Sequence, residues 1–187
     1  MSLVDLIAKA DERGLAASGL ACLDRCVPLL GGDDEILRPL WGNLTDGFDT
    51  AAWGELLEQV RGKLPSAGDG SEDGDEAVVL ARRMLGAVPA QWSAAELRVW
   101  ADACSVASLQ IHRLLDPAED PSPLDSRRAG RTEGMPPLVA AELRRQVTVL
   151  EILAGHGAGG LRRALEVSTE GRRVLRAVVS RRARGRG

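Results

Sequence analysis

Apolar residues recur at helical spacing through nearly the whole of this chain, and that period constrains its fold more than any other feature. The longest run is Leu97, Trp100, Ala101, Cys104, Ser108, Ile111 and Leu115. It follows Ser93-Ala94-Ala95-Glu96, which has the form of a capping box, and Trp92 and Leu97 stand where a hydrophobic staple would. At ~1.5 Å per residue this helix would be about 33 Å long, and it is the expected centre of the fold. Other stripes are Leu3, Leu6, Ile7 and Ala10; Leu20, Leu23, Val27 and Leu30; and Ile36, Leu37, Leu40, Trp41 and Leu44. Further stripes are Trp53, Leu56, Leu57, Val60 and Leu64; Leu80, Ala81, Met84, Leu85 and Val88; and Val139, Leu143, Val147, Leu150 and Ala154. Gly14, Pro28 and Pro39 fall inside or beside these patterns and blur their ends. The expectation is an all-α fold, an irregular bundle of seven or eight helices. Helices near 50–64, 77–88, 93–115 and 137–154 are expected to supply the core.

With 187 residues, no Tyr, one Phe (Phe48) and four Trp, that core must be built from Leu, Val and Ala. A single helical domain, 1–187, is the expected organisation. Residues 65–76, PSAGDGSEDGDE, hold five acids and three glycines with no large apolar side chain, and read as a mobile acidic linker. Residues 116–136 hold four prolines and two glycines, which argues against a regular element there. Ser168-Thr169 could divide the last helical region, and residues 172–187 read as a basic C-terminal arm.

The charge is unevenly placed. Residues 161–187 carry nine arginines against two acids, a net +7, while the preceding 160 residues carry 15 basic and 25 acidic groups, a net −10. Only Lys9 and Lys63 are lysines, so arginine is this chain's default cation. With abundant Ala and Gly, that usage fits a GC-rich bacterial coding sequence. The candidate contacts for an anion or nucleic acid are Arg162, Arg163, Arg172, Arg173, Arg176, Arg181 and Arg182. From Arg172 to Arg184, arginine pairs alternate with Val174, Leu175, Val178 and Val179, so a helix would place the two kinds on different faces. Docking on the acidic body is the favoured expectation, because those apolar residues need cover. Phosphate contact with nucleic acid is the rival, and an anionic membrane surface comes third, since no Trp or Phe accompanies the arginines.

Other motifs fix no reaction. Gly155, Gly157 and Gly160 match G-x-G-x-x-G, but no further strands are evident and Ser180 stands where a ribose-binding acid would fall. A helix end and turn explains the glycines. A weaker reading keeps a phosphorylated ligand at the Gly155–Gly160 turn beside Arg162 and Arg163. Cys22, Cys26, Cys104 and His112 could make four zinc ligands, yet their spacing matches no common zinc pattern and each Cys lies on or beside an apolar stripe. No catalytic residue, metal ligand or cofactor-binding residue can be nominated. No cofactor is expected, and an enzyme is less expected than a binding protein. The odd cysteine count, the acids near the start and the lack of a long apolar run point to a cytoplasmic chain without a membrane span. The leading expectation is a non-enzymatic helical interaction or regulatory module with a protein partner or self-association. The alternative is nucleic-acid binding by the Arg-rich C-terminal helix.

Overall fold

The structure, a computed structural model, describes residues 1–47, 49–64 and 75–185. It is all helical among these residues. There are eight helices of seven residues or more, one five-residue helix and two 3-10 turns, Val27–Leu29 and Gly157–Gly160. The helices are α1 (Leu3–Lys9), α2 (Glu12–Arg25), α3 (Arg38–Thr45), α4 (Thr50–Lys63), α5 (Glu76–Gly86), α6 (Ala94–Leu115), the five-residue α7 (Leu124–Arg128), α8 (Pro137–His156) and α9 (Leu161–Gly185). The expected all-α bundle is what forms. Most of the expected acidic linker, 65–74, lies outside the described residues, as do Phe48, Arg186 and Gly187. Its last two residues belong to α5: Asp75 accepts from Ala77 N–H at 3.1 Å as the cap, and Glu76 opens the helix.

The centre of the fold is α2, not α6. Every residue from Gly14 to Val27 is buried, with α6, α8 and α9 packed around it. The sequence shows only part of this helix, the series from Leu20 and Leu23, because a helix buried on all sides has no single apolar stripe. Between Leu15, Leu20 and Leu23 it carries many small residues, Gly14, Ala16, Ala17, Ser18, Gly19 and Ala21, and its C-terminal charges, Asp24 and Arg25, resemble a solvated end. Asp11 caps it through Gly14 N–H at 2.7 Å, so the glycine lies in its first turn. Gly19 is required by packing: a Cβ there would lie 2.4 Å from the Trp100 ring. Trp100 seats on the bare backbone of α2 and donates Nε1–H to the carbonyl of Met84 at 3.1 Å, which ties α5, α6 and α2 together.

At the start of α6 the cap half of the sequence signal is present. Ser93 Oγ accepts from Glu96 N–H at 3.3 Å. Trp92 packs edge-on against Trp53, with ring centroids 5.2 Å apart. The reciprocal two-way capping box is present at α1, between Ser2 and Asp5.

Segment 116–136 is not without regular structure. It contains α7, whose Arg127 is 2 % exposed. Arg127 donates to Asp120 at 2.6 Å and to the carbonyls of Arg131 and Glu133 at 2.9 and 2.7 Å. One guanidinium therefore satisfies the backbone of a loop whose prolines prevent it from doing so itself. That hydrogen bonding holds the Asp120 carboxyl below its ordinary value.

Candidate functional site

The arginines of the last helix divide into two sets. Helix α9 runs unbroken through Ser168 and Thr169, whose hydroxyls bond the carbonyls of Ala164 and Leu165 four residues back, both at 2.9 Å. Leu175 is fully buried, and Val178 and Val179 lie against the core. On the flanks of that buried line, Arg172 pairs with Asp24 and Arg176 with Asp34, while Arg182 stands 4.0 Å from Asp75. Asp24 also accepts from Trp41 Nε1–H at 2.8 Å. Burial pushes its carboxyl above the ordinary value, against the pull of Arg172. The other arginines face solvent. Arg162 lies 3.5 Å from Glu166 on its own helix. Arg163, Arg173, Arg181 and Arg184 are exposed and have no acidic partner among the described residues. They span about 32 Å of helix at ~1.5 Å per residue.

The glycine turn does not cradle a phosphate between strand and helix. VTVLEILA is the C-terminal half of α8. Gly157 ends that helix at φ +52°, and a short 3-10 turn, Gly157–Gly160, leads into α9. Gly160 permits the sharp return, since a Cβ there would lie 2.8 Å from Ile152. Arg162 and Arg163 point away into solvent.

A buried polar network, absent from the sequence reading, crosses the middle of the bundle. Arg25 on α2 and Glu142 on α8, both fully buried, form a two-pronged pair, Nε and Nη2 each 2.8 Å from a carboxylate oxygen. Glu142 Oε1 also accepts from Ser108 Oγ at 2.8 Å and Gln146 Nε2–H at 2.9 Å. Ser105 donates to Gln146 Oε1 at 2.7 Å and accepts from Arg128 Nε at 3.2 Å, and Arg128 pairs with Asp102. Gly171 lets α9 cross above this pair, because a Cβ there would lie 2.5 Å from Arg25 Cδ. Against the cost of burial, Arg25 and the hydrogen bonds hold the Glu142 carboxyl down, at about 2.

His112 is 1 % exposed. Its Nδ1 lies 2.6 Å from the carbonyl of Ser108, which can only accept, so Nδ1 carries the proton. Nε2 faces Glu142 at 3.5 Å. Burial lowers the imidazole pKa, with Arg25 and Arg145 adding to that effect and Glu142 opposing it. Cys22, Cys26 and Cys104 are buried thiols whose pKa values burial raises, Cys22 to about 12. They are weak nucleophiles in that state. Among the described residues no group of His, Cys, Asp and Glu is arranged to hold a metal ion.

The open feature of the surface is elsewhere. Two adjoining hollows, of about 570 and 640 Å³, run along the outer face of α6 and share Ala87, Trp100 and Ala103. The first lies between α5 and α6 and is closed by Leu124 of α7; the second follows the loop before α6, past Pro89, Ala90, Ala95 and Val99. Val99 is 72 % exposed. Neither Arg25 nor Glu142 lines either hollow. The signal for the groove was present in the sequence: Ala95, Val99, Ala103 and Ala107 are four apart, outside the stripe that packs inward. Among the described residues no helix is long and apolar enough to cross a membrane. Comparison of the chain with protein-family models, with curated proteins and with solved structures finds no match.

Proposed function

We propose that this chain is a non-enzymatic helical interaction module, whose groove along α6 receives the apolar face of a protein partner. The groove carries this reading. Among the described residues it is an open apolar strip along α6, the helix that packs on α2 and α5, with Val99 72 % exposed beside it. Helix faces of small side chains allow close approach of a second helix. The buried Arg25–Glu142 pair lines neither half of the groove, so the groove's wall is left to apolar contact. The three buried, unpaired thiols agree with a reducing cytoplasmic setting. A photo-crosslinking residue at position 99 in the full chain tests the reading. A discrete protein adduct is expected, and it should vanish with Ala103→Glu. A probe that labels only water, or many proteins in proportion to abundance, counts against it.

A second reading rests on a separate observation, the four solvent-facing arginines of α9 that have no acidic partner among the described residues. In it, Arg163, Arg173, Arg181 and Arg184 contact nucleic-acid phosphates. Four phosphates neutralised on duplex DNA would give a log–log salt slope of about −3.6, with little dependence on sequence. Retention on DNA that is unaffected by changing these four to Gln would reject it.

A further inference from the structure

We infer that the closed half of the α6 groove is a binding site for a single-chain aliphatic anion, a fatty carboxylate or alkyl phosphate. The inference goes beyond the partner reading, since it needs no second protein. The hollow of about 570 Å³ has an almost wholly apolar wall, formed chiefly by Leu80, Met84, Trp100, Ala103, Ala107 and Leu124. That volume lies within the ~300–1,000 Å³ of small-molecule sites, and such sites combine an apolar wall with a few polar groups that orient the ligand. Two are present. Arg83 on α5 and Gln110 on α6 both line the hollow, and neither makes a hydrogen bond or ion pair among the described residues.

Arg83 is the informative one. In this chain arginines near acids are used: Arg25, Arg127, Arg128, Arg172 and Arg176 each hold a carboxylate. Arg83 is exposed beside an apolar cavity with its charge unspent. An exposed arginine that lines an apolar hollow can lay its stem on the wall and keep its guanidinium in water at the rim. The groove's acid, Glu96, lines the other half. An aliphatic chain would lie on Trp100, Ala103 and Ala107 towards Leu124. Its anionic head would meet Arg83, with Gln110 as a second donor. A cationic amphiphile gains the same apolar contact but meets like charge, so head-group sign discriminates.

Calorimetric titration of the full chain with dodecanoate below its micelle concentration tests the site, with dodecyl phosphate, dodecanol and dodecyltrimethylammonium as comparators. Saturable one-to-one binding of dodecanoate is expected, weakened about tenfold in Arg83→Gln by loss of the charged contact. The better of the two anions identifies the head group. Ala103→Trp, a change at an exposed position on a helix, should abolish binding while leaving the melting temperature in place. Three outcomes overturn the inference: no saturable heat from either anion, equal affinity for the cationic amphiphile, or full binding retained in Ala103→Trp. It is also overturned if light scattering finds a dimer that Val99→Asp separates and dodecanoate does not, because a second copy then covers the groove. A protein adduct at position 99 leaves this titration unaffected, so the two readings fail separately.

Discussion

Arg25 and Glu142 lie 117 residues apart in the chain and meet with no water-exposed surface on either. A buried pair of this kind adds little net stability over well-packed apolar residues, but removing one partner leaves an uncompensated charge, which costs about 3–5 kcal/mol. Glu142→Ala should therefore destabilise the chain by about that amount, measured by denaturant unfolding. Adding Arg25→Met to it should recover most of the loss. If the single change costs less than about 1 kcal/mol, water or another group already serves Arg25. This network was not legible as a site, because no single residue of it is unusual. Its trace is nonetheless in the sequence. Glu142 and Gln146 fall beside the stripe positions Leu143 and Val147, and Ser108 sits inside the stripe of α6. Polar side chains at inward positions on three different helices are the signal, and it becomes readable only when the helices are brought together.

At the scale of elements, periodicity located α4, α5, α6 and α8 because each has one wet face. It found only the C-terminal half of α2, through Leu20 and Leu23, because burial on every side removes the contrast that periodicity detects. The test of α2's central place is Gly19→Ala. The added methyl must displace the Trp100 ring, an overpacking that should cost about 1–3 kcal/mol. A neutral effect would mean that α6 can slide outward without penalty. Helix α9 illustrates the opposite limit. Its arginine-rich composition was plain, but composition cannot say which arginines turn inward. Packing decides that through Leu175, whose burial orients Arg172 and Arg176 towards Asp24 and Asp34. A chain ending at Gly171 loses Leu175 and leaves Asp24 buried without its cation, so its melting temperature should fall. A chain with Arg163, Arg173, Arg181 and Arg184 all changed to Gln should stay within about 0.5 kcal/mol of the original in stability, since those side chains are exposed and the one contact among them, Arg181 Nε–H to the Ala177 carbonyl at 3.4 Å, lies on the helix surface. Equal losses in the two variants would mean that the outer arginines also stabilise the body.

For the whole molecule the consequence of this charge distribution is sensitivity to acid. His112 is held below its ordinary 6.5 by burial. Glu142 is held at about 2 against an ordinary 4.5, and Asp120 below 3.8. In each case the unfolded chain takes up a proton before the folded one does, so protons favour unfolding. The contribution of His112 is complete above pH 6.5 and is lost as pH falls through that value towards its lower folded pKa. Those of the carboxylates are lost next, that of Glu142 between about pH 4.5 and 2. Asp24 acts in the other direction, since its raised pKa means that the folded state accepts a proton first. The Arg172 pair limits how much it can offset. The melting temperature should thus be flat from pH 6.5 to about pH 8, above which ionisation of the three thiols in the unfolded chain lowers it, and it should begin to fall on the acid side between pH 6.5 and 5, before the carboxylates titrate in the unfolded chain. His112→Gln isolates this first step. It removes the titrating imidazole at the cost of the Nδ1 bond to Ser108, so the variant should be less stable at pH 7.5 but show a smaller decline down to pH 5. Parallel curves for the two proteins across that interval would show that the imidazole is protonated equally in both states, and that Glu142 at 3.5 Å stabilises the imidazolium as well as water does.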